Sequence, residues 1–477
     1  MPEPPLHKQQ SLDCLKTIQE AVDFHQQGRL REAERLYQAV LQAQPDDFDA
    51  LHYLGVLRAQ QGNAEAAVTL IARALEQNPR SADAHSNLGN VFQALGHHDE
   101  AISSYDKALA IRPDFADALC NRGNALQALN RHGEALASYD EALLITPDHV
   151  LALNNRGNVL QELGRYDDAI ASYDKALAIG PGDAEAFNNR GSALSKLNRY
   201  EEALASYDKA LAIKPDHVQA LNNRGNVLQD LGRHDEAIAC YDKALAIELD
   251  YPEALYNRGN ALRDLKRHEE ALASYDRALA LKPNYLNAII NRGNALQDLK
   301  RHEEALASYD RALRLKPYYA GALYNRGNAL RELKRHAEAL ASYDRALALK
   351  PDYHEALYNH GLALRDLKRH EDAARSFARL LELAPDYGFA KGELLHTKML
   401  CCDWEHFNLV TESIKNDVRA GKKSAEPFGY QAISNAPQDL RLCAEIYAAE
   451  KCPRPQIILW NGERYKNAKI RIGYLSG

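Results

Sequence analysis

The sequence predicts an all-α fold, a solenoid of stacked helix pairs, and three observations carry that prediction. Alanine recurs with a step of 34 residues at Ala33, Ala67, Ala101, Ala135, Ala169, Ala203, Ala237, Ala271, Ala305, Ala339 and Ala373. Proline keeps the same step at Pro45, Pro79, Pro113, Pro147, Pro181, Pro215, Pro283, Pro317, Pro351 and Pro385, and Leu249 fills the slot it misses. Within each period, apolar residues follow helical spacing twice, with a short polar turn between. A period of this length marks a repeat architecture, which grows by stacking and needs no single central core.

Residues 1–13 read as a polar, Pro-rich tail. Setting the first unit at Cys14 to Asp47 gives eleven units that end at Tyr387. In the unit from Ala116 to His149, Leu119, Ala125, Leu126 and Leu129 mark the buried face of a first helix, A. Ala135, Leu136, Tyr139, Ala142 and Leu143 mark that of a second, B. Gly123 and Ala135 are small where the two helices cross, because a larger side chain would push the axes beyond the usual 8–10 Å. Tyr139 is the large side chain beside them. Pro147 stops helix B, since its ring blocks continuation and its predecessor avoids the α region. The turn from A to B holds Gly96, Gly164 or Gly232 in some units and Asn130 or Asn198 in others. Both types tolerate a left-handed helix end. Lys266, Lys300, Lys334 and Lys368 take that slot later, at an expected cost of up to about 1 kcal/mol each.

Two charged rows repeat with the same step. Arg122, Arg156, Arg190, Arg224, Arg258, Arg292 and Arg326 lie on helix A. Asp106, Asp140, Asp174, Asp208, Asp242, Asp276, Asp310 and Asp344 lie on helix B, and the two rows are expected to pair between helices. Helix A also carries an asparagine column: Asn87, Asn121, Asn155, Asn189, Asn223, Asn257, Asn291, Asn325 and Asn359. A second column follows three residues later at Asn90, Asn124, Asn158, Asn226, Asn260, Asn294 and Asn328. Residues at i and i+3 share a helix face. An amide offers both donors and an acceptor, so these columns are candidates for gripping a peptide backbone without reading its side chains. Successive A helices about 10 Å apart would meet every third residue of an extended peptide rising about 3.3 Å per residue.

Other chemistries find little support. The net charge is −7 with both signs interspersed and no basic stripe, so nucleic acid is not the expected partner. No apolar leader core and no stretch of about 18 apolar residues occurs, which points to a cytoplasmic chain that binds no membrane. No C-x-x-C pair exists, so reduced, mostly buried thiols are expected and no zinc site. His98, His132, His234, His268, His302, His336 and His370 stand a whole repeat apart, too far to share an ion at bonds of about 2 Å, and read as packing residues. No phosphate loop, nucleophile triad or carboxylate pair appears, so no catalytic residue, cofactor or metal is assigned.

Beyond Tyr387 the period fails. Residues 388–420 read as one more A-type helix, Gly388 to Leu400, that caps the stack, followed by an amphipathic linker helix from Asn408 to Arg419. Residues 421–468 form a connector broken by Pro427, Pro437, Pro453 and Pro455, with one short helix from Asp439 to Lys451. Residues 469–477, KIRIGYLSG, alternate like the first strand of an α/β domain.

The small residue at the eighth position, Ala at the twentieth, Tyr or Phe at the twenty-fourth, Ala at the twenty-seventh and Pro at the thirty-second resemble the tetratricopeptide repeat over residues 14–387. Unit one departs, with Ala21 where glycine is expected, and the arginine row replaces an expected leucine. The resemblance implies a right-handed superhelix lined by helix A, whose partners are proteins or extended peptides. Acidic residues such as Asp83, Asp117 and Glu185 stand where a chaperone-tail clamp needs lysine. The array followed by Cys402-Asp403-Trp404, the connector and KIRIGYLSG is similar to the O-linked N-acetylglucosamine transferase (SPINDLY-like, glycosyltransferase family 41) proteins. That likeness implies the substrate-recognition arm of a protein glycosyltransferase with nearly all its catalytic region outside this sequence. A UDP-sugar would be a ligand only where that region is present, and dimerisation through the convex face is compatible with the likeness. The asparagine columns match a ladder with which that family holds acceptor polypeptides. The alternative reading is a stand-alone scaffold that does no chemistry.

Overall fold

The computed structural model describes residues 6–451, with side chains from residue 14 onward. Among the described residues the secondary structure is entirely helical. The strand expected over 469–477, with Pro453 and Pro455, lies outside the described residues. The first helix, Leu6–Gln26, begins inside the segment read as a tail.

From there to residue 383 the chain alternates A and B helices, as in Ala116–Ala128 followed by His132–Ile145. The pairing follows from a size rule. An ideal Cβ built on Gly123 would lie 2.5 Å from Cε1 of Tyr139, so only glycine lets that ring lie flat against helix A. Tyr139, Ala135 and Ala142 are fully buried between the helices. Leu119 and Leu126 complete the contact.

Short loops set the joints. Thr146, the residue before Pro147, is extended at φ −128° and ψ 87°, as a residue ahead of proline must be. Glu248 holds nearly the same angles ahead of Leu249, so the joint survives without proline. Several A helices start on a side-chain cap: Asp47 accepts from the Ala50 amide at 2.9 Å and Asp183 from the Ala186 amide at 3.0 Å. The A-to-B turn is left-handed throughout. Gly96 has φ 76°, Asn130 57°, Lys266 60° and Lys300 62°, so the later lysines adopt the strained conformation rather than a different turn.

The chain divides into two compact units, Met1–Ala261 and Leu262–Gly477. From residue 14 onward the first is built of repeats. The second ends in four further helices: Ala390–Leu400, Phe407–Arg419, Pro427–Gln431 and Pro437–Lys451. Leu395, Ile414, Val418, Ala425, Tyr430 and Cys443 form their shared core. The Gly392 amide donates to the Ser424 carbonyl at 2.9 Å. A Cβ on Gly392 would come within 2.7 Å of the Ala425 backbone, so glycine lets the connector cross the capping helix. The connector is therefore packed structure over its first half. The helix Pro427–Gln431 is an addition to the two helices expected after the cap.

Candidate functional site

The candidate site is the face of the A helices that carries the asparagines. In the unit Met1–Ala261, Asn121, Asn155 and Asn189 lie half-buried on three successive A helices. Each donates from Nδ2 to the Oδ1 of the second-column asparagine one repeat earlier: Asn121 to Asn90 at 3.0 Å, Asn155 to Asn124 at 2.8 Å and Asn189 to Asn158 at 3.2 Å. The same Oδ1 accepts from the buried tyrosine of its own repeat. Tyr105 donates to Asn90 at 2.8 Å, Tyr139 to Asn124 at 2.7 Å and Tyr173 to Asn158 at 2.7 Å. Two donors from different repeats thus fix each second-column amide.

The ladder shifts at repeats six to eight. Ser192 stands where a second-column asparagine would be, and Asn223 donates instead to Asn188 at 3.1 Å. Asn257 donates to Asn222 at 3.0 Å, while Asn226 accepts from Tyr241 at 2.8 Å. At the start of the array, Asn87 meets the His52 ring at 2.9 Å.

In the unit Leu262–Gly477 the first pattern returns. Asn325 donates to Asn294 at 3.0 Å and Asn359 to Asn328 at 2.9 Å, with Tyr309 on Asn294 and Tyr343 on Asn328 at 2.8 Å each. Asn294 also donates to Asn291 at 3.3 Å. Asn291 is engaged in further contacts, as is Asn260 in the unit Met1–Ala261. The bonds form a series of small clusters, most of which tie a first-column asparagine to the repeat before it. Sequence spacing put them on one face but missed that tyrosine anchors the second column. It also missed Asn188 and Asn222, whose signal was the Asn-Asn doublets at 188–189 and 222–223.

The charged rows pair as expected. Arg122 donates from Nε to Asp106 at 2.7 Å, on the B helix of the repeat before, and from Nη1 to Ser138 at 2.6 Å, on its own B helix. Arg156, Arg190, Arg292 and Arg326 repeat both bonds. Arg224 meets Asp208 and the Cys240 sulfur, and Arg258 meets Asp242 at 2.6 Å. In the last repeat His360 replaces arginine, 3.0 Å from Asp344 and 2.9 Å from Ser376. This Asp–His–Ser chain occupies the register of the arginine clasps. The Ser376 hydroxyl is directed at the Asp372 carbonyl one turn back, and the amides around it are spent inside the helix, so it lacks the setting of a nucleophile.

The turn histidines sit against acids of the following repeat: His132 lies 3.0 Å from Glu162 and His336 3.3 Å from Asp366. Among the described residues no group of three or more His, Cys, Asp or Glu side chains is placed to hold a metal ion. Among them, too, no helix is long and apolar enough to cross a membrane.

Family comparisons agree with this geometry. Matches to the tetratricopeptide repeat cover residues 24–90, 82–115, 114–181, 148–216, 216–284, 250–317, 290–354 and 337–388, a continuous run. The chain belongs to the tetratricopeptide repeat family. As a tetratricopeptide repeat array it is a protein–protein interaction scaffold. Similar solved structures include YrrB, described as a TPR protein with an unusual peptide-binding site, at 30% identity over 39% of this chain and 95% of that one, TM-score 0.35. PilF of Pseudomonas aeruginosa matches at 26% identity over 43% and 94%, TM-score 0.39. The APC/C hetero-tetramer Cut9–Hcn1 matches at 16% identity over 79% and 95%, TM-score 0.43. No curated protein matches the sequence.

Proposed function

We propose that this tetratricopeptide array captures extended polypeptide segments along its helix A face. In this reading it is the substrate-recognition arm of an O-GlcNAc-transferase-like protein glycosyltransferase. The observation that carries the first part is the pre-set ladder. Asn121, Asn155 and Asn325 each spend one amide hydrogen on the neighbouring repeat. A second hydrogen and the carbonyl of each remain for a ligand. An amide held in place loses little freedom on binding, so such a ladder suits weak, repeated, sequence-tolerant contacts with a peptide backbone. The second part rests on Cys402-Asp403-Trp404 and KIRIGYLSG after the array. Sugar transfer from a UDP-sugar belongs in this reading to the catalytic region that such an array precedes.

The ladder is tested by changing Asn189, Asn223 and Asn257 to Ala together. Affinity for an extended client peptide should fall at least about tenfold, roughly 1.4 kcal/mol, with the far-ultraviolet circular dichroism unchanged. Unaltered affinity would remove the ladder from the binding site. For the enzymatic part, the natural full-length gene product should transfer labelled N-acetylglucosamine from UDP-GlcNAc to a client, and this chain alone should not. No transfer by the full-length product would end that part of the reading.

A further inference from the structure

Two positions at each joint between repeats supply acids to the cations of the B helix that follows. They are the residue after the joint proline and the residue three places on. Arg73 donates to the Pro45 carbonyl at 3.2 Å and to Asp46 at 3.0 Å, and Arg112 meets Asp83 at 2.6 Å. Every other joint from Pro45 to Pro385 carries an aspartate or glutamate at one or both positions, but Asn284 with Asn287, and Tyr318 with Gly321, carry none. Arg311 and Arg345 stand in the register of Arg73. Both keep the bond to the joint carbonyl, of Pro283 and of Pro317, and both lack the carboxylate beside it. A further change adds charge, because Arg314 stands where neighbouring repeats have Ala246, Ala280 and Ala348.

These changes converge on a cleft of about 400 Å³ in the unit Leu262–Gly477, between the B helices His268–Leu281 and His302–Leu315. Arg292, Arg311 and Arg314 line it, with Ser308, Leu279 and Ile289 beside them. Arg311 and Arg314 are three residues apart and share a helix face. Among the described residues that line the cleft, Asp276 is the one acid, and it is committed to Arg292 at 2.6 Å. Asp310, one turn before Arg314, is committed to Arg326 at 2.7 Å. Two guanidinium charges, those of Arg311 and Arg314, are left over in one cleft. The charge and shape of these groups specify an occupant. A single carboxylate would leave one guanidinium uncompensated, whereas a phosphate monoester carries about −1.5 to −2 at pH 7 and three acceptor oxygens. A guanidinium fork matches two of those oxygens at once. Arg311 is already held by the Pro283 carbonyl, so it loses little freedom on binding.

We propose that this cleft binds a phosphoryl group carried by a phosphoserine or phosphothreonine of a partner protein. Arginine clusters recognise phosphorylated segments in this way, and a protein–protein interaction scaffold meets such segments on its partners. The cleft involves B helices and none of the ladder asparagines, so the inference is independent of peptide capture along the helix A face.

Fluorescence anisotropy of the full chain with a labelled nine-residue Gly/Ala/Ser peptide bearing one phosphoserine tests it, against the same peptide without phosphate. The phosphopeptide should bind at least tenfold more tightly. Arg314→Ala copies the residue of neighbouring repeats, and Asn284→Asp restores the carboxylate of other joints, so both variants should keep the far-ultraviolet circular dichroism of the natural chain. Together they should erase the preference. Equal affinity for the two peptides would overturn the proposal, and a preference that survives both changes would show that the phosphate sits elsewhere. Inorganic phosphate should displace the phosphopeptide only at concentrations at least tenfold above those at which the unlabelled phosphopeptide does so. Displacement at equal concentrations would reduce the site to one for free phosphate. A single-stranded oligonucleotide of nine nucleotides that displaces the phosphopeptide more readily than unlabelled phosphopeptide would replace the protein partner with a nucleic-acid backbone.

Discussion

His360 shows how much one side chain decides within a repeated frame. Seven arginines in its register donate to a carboxylate on one side, and Arg122 and Arg224 also reach Ser138 and Cys240 on the other. A guanidinium does both at any pH, whereas a neutral imidazole carries one hydrogen. Asp344 can only accept, and the Ser376 hydroxyl donates to the Asp372 carbonyl at 3.1 Å. The one hydroxyl hydrogen of Ser376 serves either that carbonyl or the ring, so neutral His360 keeps both contacts when Nε2–H donates to Asp344 and Nδ1 accepts from Ser376. Arg369, Asp372, Arg375 and Arg379 face the same cleft from the final B helix side. Burial pushes the His360 pKa below its ordinary 6.5, against the pull of Asp344, and Arg369 adds to the lowering. A histidine lowered on folding gives stability that is fully present above its unfolded pKa and is lost as pH falls through the folded value. Acidification below about pH 6.5 should therefore destabilise the last repeat. Hydrogen exchange of the helices His354–Asp366 and His370–Leu383 should quicken between pH 7.5 and 5.5 in the natural chain and change less in His360→Arg. Equal quickening in both would deny the histidine this role.

At the scale of elements, the loops and helix pairs obey rules that the sequence displays openly. Glycine facing tyrosine, the residue ahead of proline, and the Arg–Asp rows all involve fixed offsets, so periodicity alone reveals them. The turn lysines are a local conflict inside that order. Lys300 is left-handed at φ 62°, and its amide closes the helix end onto the Gln297 carbonyl at 3.0 Å. A left-handed non-glycine residue costs roughly 1–2 kcal/mol. Asparagine, found at the same turn in Asn130 and Asn198 at φ 57° and 58°, tolerates it better. Lys300→Asn should raise stability by about 0.5 kcal/mol, read as a higher urea midpoint with an unchanged slope. A lower midpoint would mean that the lysine side chain repays its strain through contacts. Less was legible where partners are distant or unrepeated. The anchoring of Asn124 by Tyr139 joins residues fifteen apart on two helices, and no pattern in one helix announces it. The helix Pro427–Gln431 is five residues long and contains glycine, so its propensity is poor, and it forms around Tyr430, which is fully buried in the terminal core.

Across the whole molecule, the substantial packing among the described residues joins helices no more than two positions apart in the chain. Stability in such an array is a sum of repeats and nearest-neighbour interfaces, so a lesion should act close to where it is made. The junction between the last repeat and the capping helix offers a sharp case. Glu393 on the helix Ala390–Leu400 is buried at 6% exposure and bonds Arg365 on the final A helix. Burial pushes the Glu393 carboxyl up from its usual range, and Arg365 pulls the other way. Arg365→Leu strands that carboxyl, and breaking a buried pair from one side costs about 3–5 kcal/mol. Arg365→Leu with Glu393→Leu removes both charges and should recover most of the loss, as apolar replacement of buried pairs often does. Because the interface is local, amide protection in the single variant should fall over residues 354–451 while the helices Ala116–Ala128 and His132–Ile145 keep theirs. An even loss of protection along the entire chain would show that the repeats unfold as one cooperative body, and the nearest-neighbour account would have to be abandoned.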